Sequence, residues 1–127
     1  MARFQHLPLY QAVYGLCLNS YRLKLKMPKD LKHDAGAAFV NNCLKCLKII
    51  VIANQLQEKK KHLDMLYFEF EMLWVSSRLL LDMRGITPGE FKVLSETLTD
   101  IGKQVQAWRK WEAQNMKNRS GEVSNRS

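Results

Sequence analysis

Apolar residues recur at alternating spacings of three and four along most of this sequence, which is the period of an amphipathic helix. The clearest such stripe is formed by Phe91, Leu94, Leu98, Ile101, Val105 and Trp108. Just before it, Thr87 and Glu90 have the spacing of a capping box, in which each side chain accepts the other residue's backbone amide. Pro88 suits the first helical position, where its missing N–H costs nothing. The sequence therefore predicts a helix from about residue 88 to about residue 112.

The same period predicts three earlier helices, over about 8–26, 28–57 and 62–84. Gly85 is predicted to adopt the left-handed conformation that ends the third of them. Short connections between four helices predict an all-α fold, an up-down-up-down antiparallel four-helix bundle that occupies residues 1–112. Residues 113–127 are polar and rich in Ser and Asn, which predicts a frayed or disordered tail.

Composition narrows the class of protein further. A chain of 127 residues suits one domain, and a hydrophobic content of 46% argues against a disordered chain. Six Gly and three Pro leave little turn chemistry for a many-stranded sandwich. The sequence contains neither an uninterrupted apolar run of about 18 residues nor the pattern of a signal peptide at its start. Three Cys cannot all pair within the chain. These features predict a cytoplasmic protein without a membrane span.

The net charge of +8 is unevenly distributed. Residues 1–30 and 31–62 each carry +4, residues 63–84 carry −2, residues 85–106 carry −1, and the last 21 residues carry +3. Segregated positive charge is typical of proteins that bind polyanions. The alternative is that the charge serves general solubility.

Several basic residues lie at helical spacing in the first half of the chain. Arg22 and Lys26 are four residues apart, with Lys24 and Lys29 close to them. A polar stripe on the second helix comprises Asn41, Lys45, Lys48, Gln55 and Lys59. Neither Lys45 nor Lys48 has an acidic residue three or four positions away along the helix. This stripe is either a plain solvated face or a ridge that contacts phosphates.

Three further features have both a structural and a functional interpretation. Arg78 either pairs with Asp82 on the same helix or is free for a partner, and Arg84 suits a helix C-terminus. The run Trp108-Arg109-Lys110-Trp111 has the composition of a stacking platform for single strands. Because Trp108 belongs to the apolar stripe, only Trp111 is free for that role.

Aromatic residues exceed what a bundle core needs. They are Tyr10, Tyr14, Tyr21, Trp74, Trp108 and Trp111, in addition to the aliphatic core positions. The surplus predicts a second buried surface, used for self-association or for a partner. The alternative places these rings in an ordinary core.

The sequence offers little support for a catalytic site. His6, His33 and His62 lie far apart in sequence, and His33 with Asp34 is an isolated pair. Cys43 and Cys46 have the spacing of half a zinc site, but buried thiols on one helix face explain them better. No phosphate-binding glycine loop or nucleophile motif occurs. We therefore expect no enzyme activity, no metal and no cofactor.

Four segments together resemble a known family. They are Lys26–Gly36, Leu73–Leu81 with Arg78 inside it, Leu94-Ser95-Glu96 and Ile101–Trp108. In order, spacing and length they resemble the accessory variability determinant (Avd) proteins of diversity-generating retroelements, over about residues 8–112. A more distant similarity is to the four-helix-bundle proteins encoded by intervening sequences of ribosomal RNA genes. The stretch Ala35-Gly36-Ala37-Ala38 departs from the family pattern.

The resemblance to Avd implies a specific function. Members form pentameric barrels with a positive surface, bind a reverse transcriptase and nucleic acid, and support mutagenic copying of template RNA into DNA and homing, without catalysis of their own. It also implies a phage or bacterial gene acting in a bacterial cell. By position, Lys29, Lys32 and Arg78 match basic places in the family. The candidate residues for binding nucleic acid or the polymerase are Arg22, Lys24, Lys26, Lys29, Lys32, Lys45, Lys48, Arg78, Arg84, Arg109 and Lys110.

Two alternatives follow from the same features. The first is a bundle associated with ribosomes or rRNA that binds RNA without a polymerase partner. The second, much less supported, is a metal-dependent enzyme that uses His33 and Asp34.

Overall fold

The computed structural model describes residues 3–126, and the side chains of residues 3–121. It contains four long helices, α1 (Pro8–Lys26), α2 (Lys29–Gln55), α3 (Lys60–Asp82) and α4 (Pro88–Arg126). A short 3-10 turn precedes α1, and no strand occurs in the described part of the chain. The predicted all-α class is therefore confirmed. Residues 1, 2 and 127, which the predicted bundle and tail include, lie outside the described residues.

The helices pack as a bundle in chain order. Helix α2 packs between α1 and α3, α3 packs against α4, and α4 also contacts α1. The connections are only a few residues long, which makes successive helices antiparallel. Helix α1 and helix α3 therefore stand diagonally across the bundle.

The core contains the residues that the helical period selects. The side chains of Leu94, Leu98, Ile101 and Val105 on α4 are buried, and Trp108 packs against the core from its edge. Six side chains at the same helical spacing on α3 are also buried: Leu63, Leu66, Phe70, Leu73, Ser77 and Leu80. These stripes close the bundle interior by burying apolar side chains from each helix.

The start of α4 is the predicted capping box. The backbone N–H of Thr87 donates to Glu90 Oε1 at 2.9 Å, and the backbone N–H of Glu90 donates to Thr87 Oγ1 at 3.1 Å. Lys26 Nζ lies 2.7 Å from Glu90 Oε2, and this hydrogen bond, together with that from Thr87, lowers the pKa of the carboxyl group. The box thus ties the start of α4 to the end of α1.

Helix α3 ends in a different way from the prediction. The left-handed residue is Arg84, with φ of 62°, and not Gly85. The Gly85 N–H donates to the Leu80 carbonyl at 2.8 Å, and the Arg84 N–H donates to the Leu81 carbonyl at 3.0 Å. These two bonds form a Schellman motif in which Arg84 takes the position that glycine usually occupies.

Helix α2 contains one irregular turn near its start. Lys32–Gly36 forms a π-helical segment between Lys29–Leu31 and Ala37–Gln55. A Cβ added at Gly36 would lie 2.7 Å from Met27 Sδ and 3.1 Å from the Leu31 carbonyl oxygen. Gly36 is therefore needed for close packing against the end of α1.

Helix α4 continues well past its predicted end. The structure extends it through Arg126, whereas the sequence predicts a frayed or disordered tail after residue 112. Glu112 at the predicted boundary is only 1% exposed, and its Oε2 accepts the backbone N–H of Lys59. Ala113, Met116 and Lys117 are good helix formers, which favours continuation of the helix beyond Glu112.

Substituting alanine at two of the glycines is expected to have opposite effects on stability. A Cβ at Gly102 would lie 2.9 Å from Cζ of the buried Phe70 ring, whereas nothing lies within 4 Å of a Cβ at Gly15. We expect Gly102→Ala to lower the free energy of unfolding by about 1 kcal/mol, because overpacking outweighs the gain in helix propensity. Gly15→Ala should raise it by about 0.5–1 kcal/mol. Denaturant titration at one protein concentration measures both, and stabilisation by both substitutions would contradict the tight packing at Phe70.

Candidate nucleic-acid interface

One end of the bundle collects cations from three helices. Helix α1 ends there, α2 begins there, and α3 ends there. The segments touch, since a Cβ at Gly36 would lie 3.3 Å from Lys24 Cγ and one at Gly85 would lie 3.3 Å from Leu31 Cδ1. We call this surface the basic end, and it comprises Arg22, Lys24, Lys26, Lys29, Lys32 and Arg84.

Most cations of the basic end have no acidic partner. Among the described side chains, no ion pair involves Arg22, Lys29, Lys32 or Arg84. Lys24 lies 5.8 Å from the centre of the Tyr21 ring, in a cation–π contact that leaves its charge uncompensated. Asp30 and Asp34 lie in the same region and reduce, but do not cancel, the positive charge. Unpaired surface cations are free to contact phosphates.

An open groove of about 700 Å³ lies at the same end. Lys26, Arg84 and Glu90 line it together with apolar groups that include Leu81 and Ile86. It offers two cationic side chains beside an apolar wall. The Glu90 carboxylate in this groove already accepts hydrogen bonds from Lys26 and the Thr87 amide.

Three other predicted site residues lie away from the basic end or are paired. Arg78 Nε contacts Asp82 Oδ1 at 3.2 Å, which is the structural alternative weighed for this residue. Lys45 Nζ lies 2.9 Å from Glu69 Oε1 on α3, so its apparent lack of an acid along its own helix was misleading. Lys48 is exposed, and none of the described ion pairs includes it.

The stripe on α2 does not extend to Lys59. That side chain is 8% exposed, and its Nζ donates to the carbonyls of Ala53, at 2.8 Å, and Leu56, where α2 ends. Burial lowers the pKa of the Lys59 ammonium. Lys59 therefore caps α2 and is not part of a phosphate-contacting ridge.

Arg109 and Lys110 lie at the opposite end of the bundle. The Arg109 guanidinium stacks on the Tyr67 ring at 4.3 Å and contacts Asp64 Oδ1 at 3.1 Å. Hydrogen bonds from Lys60 and Arg109 lower the pKa of the Asp64 carboxyl group. The structure thus divides the predicted site residues between two ends and does not unite them.

Sequence reasoning missed Lys60 and Lys61 as part of this second basic region. Both residues fall between the predicted helices 28–57 and 62–84, whereas the structure places them in the first turn of α3, which runs antiparallel to α4. In an antiparallel hairpin the start of α3 faces the part of α4 near Arg109. That register was the signal that could have placed them together.

The three cysteines are free thiols with buried side chains. Burial raises the pKa of Cys17 to about 11 and that of Cys46 to about 12, and it raises the pKa of Cys43 as well. These groups stay protonated near neutral pH. Within the described residues, no group of three His, Cys, Asp or Glu side chains is placed to hold a metal ion.

Helix α2 is long and apolar enough, by length and composition, to cross a membrane, with a mean hydropathy of 1.5. Core helices of bundles meet the same test, and α2 contributes Phe39, Cys43 and Ile50 to the core. Its most apolar stretch is interrupted by Lys45 and Lys48. We therefore assign α2 to the bundle.

A comparison with protein families gave one decisive match. The family model described as bAvd-like matches residues 8–112, which covers all of α1, α2 and α3 and the part of α4 inside the bundle. The chain belongs to the bAvd-like family. Neither the curated proteins nor the solved structures contained a match to it. The bAvd-like match ends close to Glu112, so the distal part of α4 lies outside the segment that defines the family.

Proposed function

We propose that this bAvd-like protein is a non-catalytic accessory protein of a diversity-generating retroelement. In this role it binds the reverse transcriptase and the nucleic acid, template RNA or cDNA, and supports mutagenic reverse transcription and homing. The observation that carries the proposal is the family match over residues 8–112. A role as an rRNA-associated bundle without a polymerase has no separate observation in its favour.

The basic end supports the nucleic-acid part of the proposal. Arg22, Lys29, Lys32 and Arg84 carry charges that no described side chain neutralises. Contacts between such cations and phosphates release counterions, so they supply affinity without reading sequence. An accessory protein that must follow a template through copying needs this kind of contact.

Two exposed apolar stripes support self-association. The stripe on α1 consists of Tyr14, Leu18, Tyr21 and Leu25, and the stripe on α3 consists of Met65, Phe68, Val75 and Leu79. Most of these side chains are about half exposed, and Phe68 is 61% exposed. Contiguous exposed apolar surface of this kind is typical of an interaction site.

The exposed stripes on α1 and α3 are different surfaces, which favours assembly of several copies into a ring. They lie on helices that are diagonal in the bundle, and they share no residues. Contact between the α1 stripe of one copy and the α3 stripe of the next is heterologous, and a heterologous contact that closes generates a ring. We therefore include a homo-oligomeric ring, a pentamer by family resemblance, in the proposal.

The proposal is tested by co-purification with the reverse transcriptase of the same retroelement. We expect the two proteins to elute together at low salt, with or without nuclease treatment. Raising the salt concentration should release nucleic acid before it releases the polymerase, because phosphate contacts are the more salt-sensitive. Retention of RNA without any retention of the polymerase would instead favour the rRNA-associated alternative.

A further inference from the structure

A second cavity lies at the end of the bundle opposite the basic end. Its volume is about 440 Å³, within the range of pockets that hold small ligands. Leu63, Ala113 and Met116 supply apolar walls, while Lys60, Arg109 and Lys110 supply cations. An apolar interior beside several cations suits a ligand with a planar apolar part and a negative charge.

Arg109 is held in a fixed position in this cavity. Its guanidinium stacks on Tyr67 at 4.3 Å, and its two terminal nitrogens donate to Gln106 Oε1 and Asp64 Oδ1, each at 3.1 Å. The Tyr67 ring covers one face of the guanidinium, and Arg109 also lines the cavity. A planar cation fixed in this way can stack a nucleobase on its free face without first losing side-chain freedom.

The acidic groups of the cavity are already used by the protein. Asp64 contacts Lys60 at 2.7 Å and Arg109 at 3.1 Å. Glu112 is buried and accepts hydrogen bonds from the Lys59 amide and Arg119. Lys110 is left without an ion-pair partner among the described side chains, as is Lys117, two turns further along α4 on the same face.

We propose that this cavity binds one nucleotide of a single strand. The base stacks on the Arg109 guanidinium between Ala113 and Met116, and the flanking phosphates contact Lys110 and Lys117. The inference rests on the proposed nucleic-acid binding and adds a second contact surface to it. An apolar side chain of a protein partner would leave the unpaired lysines unused, so a nucleotide fits the cavity better.

Filling the cavity without changing its charge tests the inference. Ala113 is exposed and lines the cavity, whereas Gln114 is exposed and does not, so Ala113→Phe and Gln114→Phe form a matched pair. The probe is a labelled single-stranded RNA of about 12 nucleotides, bound by the full chain and followed by fluorescence anisotropy. We expect Ala113→Phe to weaken binding about tenfold, with an unchanged salt slope, and Gln114→Phe to change it less than twofold.

Two further variants separate stacking from charge. Arg109→Lys keeps the charge but loses the planar stacking group, so we expect an affinity loss of about tenfold with little change in salt slope. Lys110→Gln should lower the magnitude of the salt slope by about one. Circular dichroism checks that each variant is folded, and Arg109→Lys provides the test if Ala113→Phe does not fold.

The outcomes distinguish this inference from the proposed function. If the wild-type chain binds RNA but Ala113→Phe and Arg109→Lys both bind like Gln114→Phe, the cavity is not a nucleotide site and the general proposal stands. If the wild-type chain binds no RNA, the nucleic-acid part of the proposed function fails. Loss of polymerase binding by Ala113→Phe with unchanged RNA affinity would overturn the inference and assign the cavity to a protein partner.

Discussion

Substituting Lys29→Glu together with Lys32→Glu lowers the affinity for single-stranded RNA by about 10–100-fold at moderate salt. Both lysines begin α2 at the basic end, and neither is in an ion pair among the described residues. Each reversal removes a cation and adds an anion close to the same phosphates. The measurement is RNA affinity over a series of salt concentrations. The slope of log affinity against log salt concentration should also decrease in magnitude by about two.

A control variant with the same change in net charge separates the effect of the basic end from the effect of overall charge. Lys48 and Lys103 are exposed, lie outside the basic end, and are not ion-paired within the described part of the chain. Lys48→Glu with Lys103→Glu should weaken RNA binding much less. If it weakens binding as much as the Lys29 and Lys32 pair does, overall charge and not the basic end determines affinity.

Substituting Leu18→Glu or Val75→Glu should each convert the oligomer to a monomer. Leu18 belongs to the α1 stripe and Val75 to the α3 stripe, and a carboxylate at the centre of either stripe would be buried without a partner. Sedimentation equilibrium at micromolar concentration measures the change. Val93→Glu, at an exposed α4 position off both stripes, serves as the control and should leave the oligomer intact.

Mixing the two variants tests whether the contact is head-to-tail. The Leu18→Glu chain keeps its α3 stripe, and the Val75→Glu chain keeps its α1 stripe. An equimolar mixture should therefore form a dimer through one intact contact, and it can grow no further. A mixture that stays monomeric, or single variants that keep forming dimers, would contradict the pairing of the α1 stripe with the α3 stripe.

The parts of the fold that depend on local sequence could be predicted. The capping box at Thr87 needs residues only three apart, and the stripes on α3 and α4 follow from a spacing of three and four. Helix ends were less accurate, because Arg84 rather than Gly85 adopts the left-handed conformation. A Cβ at Gly85 would lie 3.3 Å from Leu31 Cδ1 and 3.4 Å from Leu80, so the neighbouring position favours a residue without a side chain.

The contacts between residues that are far apart in the sequence could not be predicted. Lys59 and Glu112 are 53 positions apart, so no local pattern shows that the Lys59 amide meets a buried carboxylate. This contact anchors α4 at its predicted end, near residue 112. The Lys45 and Glu69 pair joins α2 to α3 in the same way. The division of the basic residues between two ends follows from such packing.

The accessory role is tested most directly by reverse transcription itself. The measurement is the yield of cDNA made by the retroelement's reverse transcriptase on its template RNA, with and without this protein. We expect the polymerase alone to make little cDNA on this template, the wild-type chain to raise the yield strongly, and the Lys29→Glu, Lys32→Glu variant not to do so. An equal yield with and without the protein would contradict the proposed function.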